Sequence, residues 1–324
     1  MRVAIAGTGQ IARLHVQAMA KVPELELVGV YDVDAARAEA FGREFGARVF
    51  ASYDDLLAAP DVEAVHICTP NYLHADQAVA ASAAGKHVFV EKPMALSLPD
   101  CDRMIAAAEA AGRVLMVGHM MRYQPANQAV RRLIREGAVG EVKHLVRHRF
   151  CNFDAANAWF RPWYSDRRSV GSCVLHGWGP HDLDLLVWYL DSPGVRVYAQ
   201  GTQSAELYRD QCDTYSLIIN HAGGAVSALS ISNSSHSNSV EQFIIGTGGS
   251  IRVTGGKVWL NGAEVPVEGS AADGMPNEFA EFARCCREGG TPDADGRSSR
   301  RTMAVVEAAL ESAETNRIVD VRHR

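Results

Sequence analysis

The amino-acid sequence predicts an α/β fold in two parts, a parallel sheet wound with helices followed by an α+β domain carrying a largely antiparallel sheet. Short apolar runs alternate with helical patterns up to about residue 120, as consecutive βαβ units do. Past residue 121 strand-like runs succeed one another without intervening helices, the pattern of antiparallel strands. The length, 324 residues, exceeds what one hydrophobic core usually sustains, so two domains are expected, 1–120 and 121–324, the final helices being candidates to pack back on the first.

In chain order, residues 3–6 are the first strand and 11–20 a helix, with Leu14 and Ala18 four apart on one face. Residues 26–31 make the second strand, ending at Asp32, and 35–45 the next helix. A short third strand at Val49 and Phe50 precedes a helical turn at 53–57. The fourth strand, 64–69, is stopped by Pro70, which cannot donate to a ladder. A helix over 71–84, with Gly85 as C-cap, leads to the fifth strand at 87–91, and a helix over 98–111 leads to the sixth at 114–118.

In the second part, a helix over 124–136 and a strand over 142–150 come before a long irregular stretch, 152–170. A helix begins near Pro180 or His181. Strands are expected over 195–202, 213–220, 225–232 and 240–246, and a hairpin joins 250–254 to 257–260 through Gly255 and Gly256. The serine-rich run 232–239 is expected to be a tight loop. Helices over 278–288 and 300–317 and a strand over 319–321 close the chain.

A formal charge of −6 with both signs interspersed offers no basic patch to a nucleic-acid backbone. The seven cysteines form no CxxC pair and read as reduced thiols. None of the twelve histidines falls in an HxH or HExxH pattern, so no metal site is expected. Charges interrupt every apolar run short of the roughly 18 residues needed to span a bilayer. The first strand begins at Val3, leaving no room for a signal peptide, so a cytoplasmic location is expected.

Gly7-Thr8-Gly9-Gln10-Ile11-Ala12 lies between a strand and a helix, the context in which such a motif marks a dinucleotide-binding Rossmann domain. Gly7 permits the tight turn, Gly9 lets the backbone approach a pyrophosphate, and Ala12 lets helix and strand pack closely. Amides at the helix start, at Gln10 and Ile11, can donate to the phosphates. Asp32, 20 residues after Ala12, can accept from both ribose hydroxyls of NAD and would repel a 2′-phosphate. No arginine immediately follows it, Arg37 being the nearest, so NAD is favoured over NADP.

Three motifs in this order, Gly9 through His15, Thr69-Pro70-Asn71 with His74, and Glu91-Lys92-Pro93, resemble the glucose-fructose oxidoreductase, inositol dehydrogenase and rhizopine-catabolism family. The resemblance continues through Gly118 to Tyr123, through Gly171 to Leu186, and on to the final helices. It implies an open-faced C-terminal sheet that often mediates dimers or tetramers, and a dehydrogenase of a sugar, inositol or similar polyol. It also implies catalysis by Lys92, a proline at Pro93 that is often cis, and His181 at the substrate hydroxyl. The motif residues Thr69, Pro70, Asn71, His74, Glu91 and Lys92 are accordingly placed around the cofactor.

The chemistry asks for the same residue types. Taking hydride from an alcohol carbon requires the hydroxyl proton to leave, so a base such as His181 must reach that oxygen. Lys92 supplies positive charge to an alkoxide-like oxygen, and Glu91 orients or tunes Lys92. The family commonly carries aspartate four residues before the histidine; here that position is Gly177, and His176, Asp182 or Asp184 are the candidates to compensate, His176 first. Trp159, Arg161, Trp163 and Tyr164, where aromatics alternate with charges, read as a pocket wall for a hydroxylated ring, with Arg122, Tyr123 and His236 as further substrate neighbours. The alternatives are a same-fold enzyme acting on a non-sugar cyclic substrate or sugar nucleotide, and a non-catalytic NAD-binding sensor.

Overall fold

The computed structural model describes residues 1–153, 162–208 and 210–323. The chain divides into two compact units, one of Met1–His119 with Met275–Arg300, the other of Met120–Gly274 with Arg301–Arg324.

The first unit alternates strand and helix: β1 (Arg2–Ala6), α1 (Gln10–Met19), β2 (Glu26–Tyr31), α2 (Ala35–Phe45), β3 (Arg48–Val49), α3 (Tyr53–Ala58), β4 (Ala64–Ile67), α4 (His74–Ala83), β5 (His87–Val90), α5 (Leu98–Ala111) and β6 (Leu115–Val117). The six strands are parallel in the order β3-β2-β1-β4-β5-β6. That order reverses direction between β1 and β4, the switch point outside which ligands bind in open α/β sheets. Strands buried on both faces read as apolar runs, and Val3, Ala4, Ile5, Val65, Val88 and Phe89 are wholly buried. Helix starts are set by side chains: Asp34, Ser52 and Ser97 each accept the backbone N–H three residues on.

The helix Gly274–Glu288 brings Phe279 and Phe282 edge-on against Phe89 of β5, with centroids 5.0 and 5.6 Å away. Beyond it, Val117 N–H donates to the Ala294 carbonyl at 2.9 Å and Met116 bridges Asp295. This pairing covers the edge strand β6.

The second unit contains α6 (Pro125–Arg135), β7 (Val142–Asn152), α7 (Arg167–Val170), α8 (Gly179–Leu190), β8 (Gly194–Thr202), β9 (Thr214–His221), β10 (Val226–Ser232), β11 (Ser234–Gly246), β12 (Ser250–Thr254), β13 (Lys257–Leu260), β14 (Ala263–Val265) and β15 (Val319–Asp320). They form one sheet in the order β14-β13-β12-β11-β7-β10-β9-β8-β15, antiparallel except where β7 meets β10. The helix α8 packs on β7 and β10, over buried Leu145, Leu229 and Ile231. On the opposite face Tyr198, Ile218, Ala228, Val146 and Phe243 are register partners in one row across five strands. Tyr198, Ile218 and Phe243 of that row are exposed, as is Ile245.

Two expectations change. The serine-rich run is not a loop: only Asn233 separates β10 from β11, and Ser234 already pairs with Asn152 before the register shifts to Ser239 opposite Phe150. Hydroxyls suit a strand on a solvated face, where they bond sideways: Thr214 to Ser232 at 2.8 Å and His148 Nε2 to Ser239 at 2.8 Å. The stretch expected to be irregular holds a 3-10 turn, Pro162–Ser165, and α7, whose N-cap Asp166 accepts from Arg168 N–H.

Candidate active site

In the first unit the chain leaves β1 at Gly7 with φ at +89°. A Cβ there would lie 2.7 Å from the Cys68 carbonyl oxygen, so backbone conformation and crowding both require glycine. Gly9, the N-cap of α1, is different: a Cβ would meet nothing within 4 Å. No side chain caps α1, so the amides of its first turn, from Gln10 and Ile11 onward, open on that space. Ala12 is wholly buried.

Asp32 follows β2, with 8% of its surface exposed. Its Oδ2 accepts the Thr8 N–H at 2.7 Å and the Thr8 hydroxyl at 2.9 Å, which turns the carboxylate onto the glycine turn. Oδ1 accepts the Asp34 N–H at 3.0 Å, and Arg37 forks onto both oxygens, Nε at 3.1 Å and Nη2 at 2.6 Å. Burial pushes this carboxyl up, but Arg37 and the Asp34 and Thr8 donors outweigh it and hold the group below its usual range.

After β5, Glu91 points inward and Lys92 is half-buried. Glu91 Oε1 lies 2.9 Å from His15 Nε2, and Oε2 accepts the Lys92 N–H at 3.2 Å. Burial raises the Glu91 carboxyl, yet the bond from His15 and the charges of His15 and Lys92 keep it ionised below the usual range. His15 Nδ1 meets His66 Nδ1 at 3.1 Å, and His66 stacks on Phe89 at 4.7 Å. Burial, reinforced by His15, pushes the His66 imidazole well down. His74 spans two turns, Nε2 to the Thr69 carbonyl at 2.9 Å and Nδ1 to the Pro93 carbonyl at 2.8 Å. It is 1% exposed and fastens the turn after β4 to the cis Lys92-Pro93 peptide after β5. Pro70 is half-buried and Asn71 buried in the same turn.

In the second unit, His181 is the third residue of α8 and half-buried, and its N–H bonds the Trp178 carbonyl. Before it the chain makes a tight coil: the N–H groups of His176 and Gly177 both reach the Ser172 carbonyl, and those of Trp178 and Gly179 both reach that of Val174. His176 closes this coil by accepting the Ser172 N–H on Nδ1 at 3.0 Å. Burial pushes its imidazole down to about 4, with Arg167 adding to the effect, so it is neutral at physiological pH. That geometry makes His176 a brace for the turn before His181.

Arg122 is likewise committed, forked onto Asp184 at 2.7 and 2.6 Å with 2% of its surface exposed. Thr302 donates to the same carboxylate at 2.8 Å, so Asp184 and Arg122 form a buried ion pair. Asp182 is held by Arg147 and Arg149. Tyr123 is buried. Trp163 stacks on Tyr164 at 4.1 Å, and Phe153 lies edge-on to both Tyr164 and Trp178, which assembles an aromatic group beside the start of α8. His236 is exposed on β11. Trp159 and Arg161 lie outside the described residues.

Residues 1–119 match the oxidoreductase family described by its NAD-binding Rossmann fold, and residues 127–252 match the GFO/IDH/MocA C-terminal domain. The chain belongs to the Gfo/Idh/MocA oxidoreductase family. It is 29% identical to the D-apiose dehydrogenase of Paraburkholderia graminis over 98% of this chain and 89% of that protein. It is also 29% identical to the 4-carboxy-2-hydroxymuconate-6-semialdehyde dehydrogenase of a Sphingobium species, over 90% of this chain and 92% of that one. Its fold is similar to that of levoglucosan dehydrogenase in complex with NADH and levoglucosan, with a TM-score of 0.91, 23% identity and 100% of both chains covered.

A Gfo/Idh/MocA protein is a nicotinamide-dinucleotide oxidoreductase, and the first unit fits such a cofactor. The open space over Gly9 and the uncapped amides of α1 are what a pyrophosphate needs. In this member the position of the family aspartate cannot take a side chain as the backbone stands, because a Cβ on Gly177 would lie 2.2 Å from the Cys173 carbonyl oxygen. Sequence reasoning passed over Thr8, which sits inside the fingerprint, and gave Trp178 no role. It also left Arg37 unpaired with Asp32, although five residues from a strand end into a first helical turn is a spacing that brings them together. A separate cavity of about 500 Å³ opens by His87, Arg113 and Cys286, at the start of β5 and thus at the opposite end of that strand from Lys92.

Proposed function

We propose that this Gfo/Idh/MocA member transfers hydride between NAD and a hydroxyl-bearing carbon of a sugar, inositol or similar polyol. The observation that carries the reading is a shared sheet edge: the glycine turn after β1, Asp32 after β2 and Lys92 after β5 all follow the carboxyl ends of parallel strands. The D-apiose and levoglucosan dehydrogenases named above support the substrate class.

NAD supplies the hydride acceptor when bound. Asp32 receives the ribose hydroxyls, and Gly9, Gln10 and Ile11 receive the pyrophosphate. Lys92 places an ammonium charge for an oxygen that gains negative character as its proton leaves. His181 takes that proton. Glu91, His15 and His74 position the Lys92 turn, and His176 the turn before His181. Trp163 and Tyr164 offer apolar faces to a ring. The exposed row Tyr198, Ile218 and Phe243 seats a second copy of the chain, as a homodimer or homotetramer.

The test is reduction of NAD, followed in the ultraviolet band of NADH, across a panel of aldoses, inositols and other polyols. Turnover on one of them supports the proposal. The Sphingobium relative favours a second reading, a non-sugar substrate, and turnover only on cyclic diols or hydroxy-semialdehydes would select it. Tight NADH binding with silence across both panels would select a nucleotide sensor.

A further inference from the structure

Within the dehydrogenase reading above, on which this inference rests, we infer that the polyol this site oxidises carries a carboxylate, as an aldonate or a uronate does, and that Arg149 receives it. The charge beside the start of α8 is unbalanced. Asp182, wholly buried in the first turn, accepts Arg147 Nε at 2.5 Å on Oδ1 and Arg149 Nε at 2.7 Å on Oδ2. Burial pushes this carboxyl up, but the charges of Arg149 and Arg147 outweigh it and hold the group ionised, below its usual range. Arginine does not lose its proton inside proteins, so two cations share one anion and the cluster keeps one positive charge in excess. The pair of Arg122 and Asp184 is built differently, one guanidinium forked onto one carboxylate.

The excess falls on the terminal nitrogens, because each arginine spends only its Nε on Asp182. Arg147, 2% exposed, gives Nη1 to the Gln242 amide oxygen at 3.1 Å, and its buried Nη2 has no acceptor among the described residues. Folded proteins rarely leave such a group unmet, and an uncompensated buried charge is costlier still. Arg149, 15% exposed, is where the cluster reaches solvent. Its Nη2 faces only the Met121 thioether at 3.4 Å, a weak acceptor, and its Nη1 meets no acceptor among the described residues. Its guanidinium carbon lies 5.8 Å from the Trp178 ring, and Trp178 and Asp182 stand one helical turn apart on either side of His181. The open nitrogens are therefore at the end of α8 that carries His181, beside the aromatic group of Phe153, Tyr164 and Trp178. A carboxylate matches the planar fork of a guanidinium and brings the missing negative charge, whereas a neutral hydroxyl brings an acceptor alone.

The experiment is steady-state reduction of NAD with D-galacturonate, D-glucuronate and D-gluconate, beside the neutral D-galactose, D-glucose and D-glucitol, by the wild-type protein, Arg149→Gln and Arg149→Lys. For the wild type, kcat/KM should be at least about tenfold higher for the acid than for its neutral counterpart in the pair it accepts. Arg149→Gln should raise the KM of that acid at least about tenfold more than the KM of the neutral sugar, since a general loss of packing would weaken both alike. Arg149→Lys should recover part of the preference, because it keeps the charge and loses the fork. Neutral sugars turned over as well as their acids, or equal losses on both in Arg149→Gln, overturn the carboxylate while leaving the dehydrogenase reading in place. Silence of the wild type on acids and neutral polyols alike overturns both.

Discussion

His15 Nε2 lies 2.9 Å from Glu91 Oε1, so the helix that opens at the glycine turn is tied to the residue immediately before Lys92. An ionised carboxylate can only accept, so His15 donates and its other nitrogen faces His66. Through this contact two of the three sequence motifs of the first unit, Gly9 through His15 and Glu91-Lys92-Pro93, are one piece of structure. Glu91→Ala should therefore cost about 1.5–3 kcal/mol, as expected for a buried hydrogen bond to a charged group. Glu91→Gln, which keeps an acceptor, should cost less. Urea unfolding measures both, and equal stability of Glu91→Ala and wild type would sink the role.

The two fingerprint glycines should separate stability from binding. Gly7→Ala places a methyl 2.7 Å from the Cys68 carbonyl at a φ of +89°, and should destabilise the fold by at least about 1–2 kcal/mol. Gly9→Ala meets no atom of the described residues within 4 Å beyond its chain neighbours, and should leave stability within about 0.5 kcal/mol while weakening NADH at least about tenfold. Undiminished NADH affinity in Gly9→Ala would remove the pyrophosphate from that space.

His176 should make the protein acid-sensitive. Its folded pKa is pushed down to about 4 from 6.5, so the stability it supports is fully present above pH 6.5 and is lost as pH falls toward 4. The integrated effect is on the order of 3 kcal/mol. His176→Asn keeps an acceptor for the Ser172 N–H but cannot titrate. Chemical denaturation at several pH values should show a shallower decline for this variant, and parallel curves would refute the assignment.

Lys92→Ala should lower turnover about 10²–10⁴-fold with NADH affinity changed far less, as the role proposed for its charge at the reacting oxygen requires. His181→Gln should remove the acidic limb of the pH–rate profile, while His176→Asn should leave that limb in place. Full turnover by Lys92→Ala on an identified substrate would end the mechanism.

On the proposed seating of a second copy against the open sheet face, Ile218→Glu, at a position 50% exposed, should yield monomers without lowering the unfolding temperature of the monomer. Light scattering after size exclusion reads this directly. An unchanged mass would move the subunit contact elsewhere.

Much of the first unit was legible because its signals are local. Each strand is a short apolar run closed by a turn residue, and the caps Asp34, Ser52 and Ser97 stand where the helices begin. The serine run misled because polarity argues for a loop only if both faces of a strand must be buried, and β11 has one solvated face. Trp163 and Tyr164 could be picked out by composition, but their stacking, and the edge-on approach of Phe153 to Trp178, depend on segments distant in the chain. The signals for His176 and Arg122 were residue type and position. Neither reveals that the imidazole accepts a backbone amide or that the guanidinium is spent on Asp184.

By itself the sequence determined the βαβ rhythm, the glycine turn with Asp32 behind it, and the motifs around Lys92 and His181, because periodicity and turn chemistry act over a few residues. The tertiary structure decided which polar groups are committed. Asp32 is saturated by Thr8, Asp34 and Arg37, Glu91 belongs to His15, and Gly177 has no room for a side chain beside Cys173. Those outcomes turn on burial and on hydrogen bonds between distant segments, and a buried polar group must find its partner wherever the fold brings one.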